Sequence, residues 1–368
     1  TLSFPGFIHN KEGESLLKKV HLSLAIAAIS ASAVPAVASE SISGGFWLNH
    51  ALYNDNVNEV SYGDTNYEAL ILYIDKTDEK TGWQFSSEMR YGTGAFTDPA
   101  NNNTGAHFGF HKAWVGKTFG KGELKIGKSQ VPFGWATVNF WPGDELLGGY
   151  ADQMDVGVKW SADLGAVNYD VAYFHVDDFG ASTETMDDGG HWGSTTTYQK
   201  TQTFVLNGAY DLAEKQKVGA SYQNGKLRDL SGANADRPYV GDHNAAVVYY
   251  EGEFNNLGVK AQYMITERDL TDIGGFSGAP KIKNDRKAVT LTYSMGDYLF
   301  YVDYTNAEAN TKGNTVGSAD SWAPGMSYNY GPGWFYVEYV SNDGDIGANG
   351  EVVDGDFDAL YLTMDYYF

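Results

Sequence analysis

The 368-residue chain contains no cysteine, which removes thiol chemistry, Cys-ligated zinc and disulfide scaffolds together. It has no run of about 18 or more apolar residues, so a bundle of membrane-spanning helices is excluded. Proline is scarce, at 9 residues. Basic residues are few as well: 25 Lys and Arg stand against 47 Asp and Glu, a net charge of −22. That balance excludes a nucleic-acid binder, which needs a basic footprint. Glycine and tyrosine are abundant, at 44 and 26, within an aromatic content of 15%. So many aromatics argue against disorder despite a mean hydropathy of −0.37. The composition is that of β structure.

Near the amino end, Lys18-Lys19 precede Val20 to Ser32, rich in Leu, Ile and Ala, and small residues lead on to Ala36-Val37-Ala38. A basic, then apolar, then small-x-small order is that of a secretory signal peptide. It predicts cleavage after Ala38, which divides the chain into a removed segment 1–38 and one domain, 39–368. The competing reading, a buried helix, sits poorly with Pro35 and the cleavage-like tripeptide. Residues 1–15 read as neither signal nor domain. The first methionine is Met89, and initiation near Leu16 or Leu17 is the expectation for that stretch.

From residue 41 onward, segments with a period of two alternate with punctuated gaps. Trp83, Phe85, Met89 and Tyr91 share one face, while Gln84, Ser86, Glu88 and Arg90 share the other. The same alternation opposes Leu360, Leu362, Met364, Tyr366 and Phe368 to Tyr361, Thr363, Asp365 and Tyr367. Segments fall near 41–54, 65–76, 82–92, 107–119, 122–133, 155–162, 165–177 and 200–212. They continue at 215–227, 243–254, 257–268, 286–295, 298–308, 322–331, 334–342 and 357–368. Gaps between them are alternately short and long. Short turns on one side, long loops on the other and apolar-out, polar-in strands predict an all-β fold, a closed sixteen-stranded antiparallel transmembrane β-barrel. A secreted sandwich or propeller is the alternative, but no fixed repeat of about 40–50 residues supports blades. Trp83, Tyr91, Trp114, Trp160, Tyr250, Trp334, Tyr339 and Tyr366 fall at strand ends, as interfacial girdles do.

The last strand, Leu360 to Phe368, resembles the terminal strand of Gram-negative outer-membrane proteins. Lys112-Ala-Trp-Val-Gly-Lys-Thr-Phe-Gly120, running into Gly122-Glu-Leu-Lys-Ile-Gly127, is similar to the fourth and fifth strands of trimeric porins. Lys128-Ser-Gln-Val-Pro-Phe-Gly134 and Asp155-Val-Gly-Val158 resemble segments of the phosphate-selective porin O/P-like group. That group lines its pore with Arg and Lys, and this acidic chain shows no such ladder. The resemblance implies an outer-membrane porin, a water-filled channel for passive diffusion of small polar solutes and ions. It implies Phe368, Tyr366 and Met364 as the signal read by the barrel-assembly machinery. It also implies a homotrimer, with a monomeric specific channel as the alternative. Flat outward positions near the chain ends, such as Gly44 and Ala69, suit trimer contacts.

Inside such a barrel, parity places Glu68, Glu88, Glu123, Asp170, Asp211, Glu251, Glu253, Asp303, Glu338 and Asp365 against Arg90, Lys125, Lys159, Lys260 and Arg268. Acids outnumber bases, which predicts a preference for cations. In the porins it resembles, the third long loop, here about 134–154, folds inward. Asp144, Glu145 and Asp152 would then set the constriction with Glu88, opposed by Arg90 and Lys125. The other reading is an external loop on a neighbouring subunit. Acidic loops at Asp187-Asp188, Asp343 to Asp345 and Asp354 to Asp356 read as solvated turns, or as divalent bridges to lipopolysaccharide phosphates in the surrounding outer-membrane lipid. His107 and His111 share a strand face but lie ~13 Å apart, too far for one metal. No catalytic residue, metal or cofactor is assigned. An anion- or phosphate-specific porin is the first alternative function, and an outer-membrane lipase or protease the second.

Overall fold

A computed structural model of the protein describes residues 39–53, 63–92, 107–134, 154–177, 198–230, 239–270, 281–313, 316–346 and 350–368. Among them run sixteen strands. The first eight are β1 (Ser39–Tyr53), β2 (Asp64–Asp78), β3 (Trp83–Gly92), β4 (His107–Phe119), β5 (Gly122–Gln130), β6 (Met154–Asp163), β7 (Val167–Val176) and β8 (Tyr198–Ala213). The rest are β9 (Gln216–Asp229), β10 (Gly241–Phe254), β11 (Leu257–Asp269), β12 (Lys281–Met295), β13 (Tyr298–Ala309), β14 (Gly317–Asn329), β15 (Trp334–Ile346) and β16 (Val352–Tyr367). Each pairs with its neighbours in sequence, and β1 pairs antiparallel with β16. The expected barrel is closed, and closure leaves no unpaired edge.

Tight turns join the strands on one side, as the gap lengths predict. Gly120 and Gly296, at φ +60 and +61, and Asn255 at +58 supply the left-handed backbone that two-residue hairpins require. The β2–β3 turn is held differently. Asp78 Oδ1 accepts the backbone N–H of Lys80 at 3.0 Å and of Thr81 at 3.3 Å, and Oδ2 accepts the Thr81 hydroxyl at 2.7 Å. Asp78→Ala removes all three hydrogen bonds and is expected to cost about 1 kcal/mol, whereas Asp78→Asn keeps an oxygen for the two N–H groups. Thermal melts of the detergent-folded protein would separate the two, and equal melting points would show that the turn holds itself.

Phe46, Leu70, Phe85, Val115, Ile126, Val171, Leu206, Val248, Ile265, Leu291, Phe300, Val337 and Leu362 are large apolar side chains left exposed around one face. Soluble monomers do not carry such a belt; it is the lipid-facing band of a transmembrane barrel. A polar girdle repeats at its outer edge. Tyr263 donates to Asp285 at 3.1 Å, Tyr304 to Asp320 at 2.6 Å and Tyr339 to Asp358 at 2.8 Å. In each hairpin the carboxylate lies diagonally across, two residues from the tyrosine's own register partner. Tyr91, Trp83, Tyr339 and Tyr366 are exposed as girdles require. Trp114 is a correction, buried on the inner wall. Trp334 is another: it packs edge-on against Tyr367, 5.9 Å between ring centroids.

The inner wall is read from the opposite parity, and register shifts matter there. Between Glu88↔Lys112 and Met89↔Phe110 the β3–β4 ladder skips His111. Phe108 and Phe110 face out before the bulge, Val115 and Phe119 after it, and both His111 and Lys112 are buried. Such a bulge reverses every later side chain, which is why Trp114 points inward. Ala69 is a further correction. It is buried in a cluster with Trp47, Ile71 and Tyr73, on the inner parity, so it offers no outward surface.

Candidate functional site

The inner wall carries Glu88, Arg90 and Lys125 where parity predicts them. Glu88 Oε1 lies 2.9 Å from Arg90 Nε and 2.8 Å from Nη2, and the guanidinium sits 4.7 Å from the Trp47 ring centroid. Lys125 belongs to a second pair, with its Nζ 2.8 Å from Glu123 and 4.4 Å from the Trp114 ring centroid. These residues therefore form two local ion pairs. Asp144, Glu145 and Asp152 fall outside the described residues, as does the side chain of Glu68. Met364, Tyr366 and Phe368 lie on the outward face of the closing strand β16 and its last residue.

The expected excess of inner acids is too large. Lys112, Lys200, Lys217 and Arg286 add inner bases, and Asp155 and Asp177 add inner acids. The omissions have physical causes. Lys112 follows the bulge in β4. Lys200 precedes a register shift in β8 between Thr201 and Phe204. Arg286 sits in a strand whose apolar alternation begins only beside it. Where water reaches the wall the acids keep a narrow lead: Glu123, Asp170, Asp211, Glu251 and Glu253 face Arg90, Lys215, Lys217 and Lys260. Glu251 lies 2.9 Å from Lys217 and 3.7 Å from Lys260.

The most specific feature begins where β5 ends. Pro132 has no N–H for the ladder, and Phe133 N donates to Val131 O at 3.0 Å, a tight turn about the proline. Gly134 then takes φ +63, a conformation that favours glycine. Lys159 Nζ donates to Gln130 O at 2.7 Å and holds the last strand residue as the chain leaves the wall. The chain turns inward. Val131 and Phe133, each 4% exposed, pack with Ala172, Phe174, Val205, Ala245, Val247 and Met264. That socket spans the inner faces of β7, β8, β10 and β11. An apolar patch on a wall that should face water needs a partner, and these two side chains are it.

The chain thus turns inward over residues 131–134, and the loop expected to narrow the pore, about 134–154, lies outside the described residues beyond Gly134 until β6 begins at Met154. The socket was not among the residues singled out from the sequence. Its signal was present in runs such as Val171 to Phe174 and Phe204 to Leu206, apolar on both parities.

Residues 226–368 match the sequence profile of a family described as Gram-negative porin. No curated protein matches the sequence significantly. Solved structures match along nearly the whole barrel. An anion-selective porin from Comamonas acidovorans has a TM-score of 0.62 at 14% identity, covering 90% of this chain and 100% of that one. Salmonella typhi OmpF, in complex with daunomycin, has a TM-score of 0.63 at 12% identity, covering 89% and 97%. The trimer form of in-vitro folded OmpT, an outer membrane protein of Vibrio cholerae, has a TM-score of 0.62 at 13% identity, covering 90% and 100%. At such identities the likeness is one of fold.

Proposed function

We propose that this chain, whose residues 226–368 match a Gram-negative porin profile within a closed sixteen-stranded barrel, is an outer-membrane porin, a passive, water-filled channel with a weak preference for cations. The observation that carries the preference is the surplus of carboxylates on the water-reached inner wall, Glu123, Asp170, Asp211, Glu251 and Glu253. Fixed carboxylates raise the local cation concentration and repel anions. Asp144, Glu145 and Asp152 add to that field if the chain beyond Gly134 continues along the lumen, with Glu88, Arg90 and Lys125 lining the opposed wall. The proposal includes a homotrimer, supported by the trimer form of the Vibrio cholerae structure. It includes assembly through recognition of Met364, Tyr366 and Phe368, and lipopolysaccharide against the polar outer girdle. It assigns no catalytic step, and hydrolysis of phospholipid or peptide by the purified barrel would overturn that part.

Reversal potentials across a potassium chloride gradient test the selectivity. The expected sign is that of cation preference, fading as salt rises, because the Debye length shrinks from about 30 Å at 0.01 M to about 3 Å at 1 M. Asp144→Asn with Glu145→Gln is expected to lower the preference. An unchanged potential in that double variant removes both residues from the filter, and a chloride-favouring wild type overturns the cation reading.

A further inference from the structure

A chain of hydrogen bonds crosses the inner wall beside the socket, and its donors converge on Asp170 from both sides. Gly134 N–H donates to Ser221 Oγ at 3.2 Å. Ser221 donates to Asn207 Oδ1 at 2.8 Å, and the Tyr249 hydroxyl donates to the same oxygen at 3.0 Å. Asn207 Nδ2 donates to Asp170 Oδ2 at 2.9 Å, while Ser161 donates to Asp170 Oδ1 at 2.6 Å. Five strands, β6 to β10, are tied in this way to the residue at which the chain turns inward.

The order of donors depends on its last member. An ionised carboxylate only accepts, so Asp170 compels Asn207 to present its NH₂ toward β7 and its oxygen toward β9 and β10. That oxygen lets Ser221 point its hydrogen away from Gly134 and leave a lone pair for the backbone N–H. Packing fixes the tyrosine as well. The Tyr249 ring lies over Gly219, where a Cβ would meet it. Ser221 and Tyr249 are buried, so each lost partner leaves a polar group without water.

We propose that Asp170 is a remote positioning residue for the pore: through Asn207 and Ser221 it holds the inward turn at Gly134, and so sets the steadiness of the open channel. The proposal rests on the channel reading above. It separates two roles that one carboxylate would otherwise confuse, its charge in the lumen and its grip on the turn.

Single-channel recording in planar bilayers separates them. Asp170→Ala and Asp211→Ala each remove one carboxylate from the water-reached wall and should shift the reversal potential in the same direction. Only Asp170→Ala, which leaves Asn207 no acceptor at that position, should raise the open-channel noise and the time spent at alternate conductance levels, several-fold. Ser221→Ala leaves every charge in place and should reproduce the noise with no shift in potential. The pair Asp170→Ala and Ser221→Ala should be no noisier than either alone, since both break one chain. Heat-dependent gel mobility confirms that each variant is folded. A folded Ser221→Ala barrel as quiet as wild type overturns the relay, as does an Asp170→Ala barrel no noisier than Asp211→Ala. A wild-type barrel that passes no current overturns the channel reading instead.

Discussion

Phe133→Ala is expected to increase unit conductance and admit larger solutes. The ring is almost fully buried among Phe174, Val205, Val247 and Met264, and truncating a buried phenylalanine costs about 3–5 kcal/mol. A single hydrogen bond such as Gly134 to Ser221 contributes about 0.5–1.5 kcal/mol. The socket therefore dominates the seating of the inward turn, and the relay tunes it. Phe133→Leu keeps most of the apolar contact and should stay near wild type. Val247→Asp attacks the same seat from the wall, by placing a carboxylate against the ring. Planar-bilayer conductance and liposome swelling with sugars of graded size would measure both. If Phe133→Ala passes the same current and the same sugars, the turn does not limit the pore.

The barrel was legible because its outer face obeys one rule. Lipid demands an apolar side chain at every second position, so Leu360 to Phe368 and Trp83 to Tyr91 declare their period directly. Strand ends beyond the lipid were not legible. β12, β14 and β16 begin at Lys281, Gly317 and Val352, several residues before the alternation starts, because outside the membrane the ladder continues under polar side chains such as Lys281 and Lys283. β5 ends early, at Gln130, because Pro132 withdraws a donor and Phe133 has an apolar seat elsewhere. Parity carried Glu88, Arg90 and Lys125 to the inner wall but failed at the β4 bulge, beyond which Lys112 joins the inner wall and Trp114 points inward. The relay was beyond parity. Ser161, Asn207, Ser221 and Tyr249 are ordinary wall residues in sequence, and only the register of five strands brings them together.

Gly44→Val is expected to lower the yield of folded barrel, because it strikes where the chain closes on itself. Gly44 N donates to Phe368 O at 3.0 Å and Phe368 N to Gly44 O at 2.9 Å, the final rungs of the β1–β16 seam. A Cβ on Gly44 would stand 2.5 Å from Cζ of the Phe368 ring and 2.8 Å from the Ile71 carbonyl oxygen. The glycine is there for space: the tip of the Phe368 ring occupies the place of a Cβ. Overpacking alone costs about 1–3 kcal/mol, and displacing the ring also loosens the hydrogen bonds beneath it. Refolding into detergent should give a smaller heat-stable fraction and a lower melting temperature. Adding Phe368→Ala empties the space above β1 and should restore part of the stability in detergent, where no assembly machinery acts. In cells the same double variant should still fail to accumulate if the terminal aromatic is the assembly signal. Recovery in both settings would make Phe368 a packing residue alone; recovery in neither would place the damage at the Ile71 carbonyl rather than at the ring.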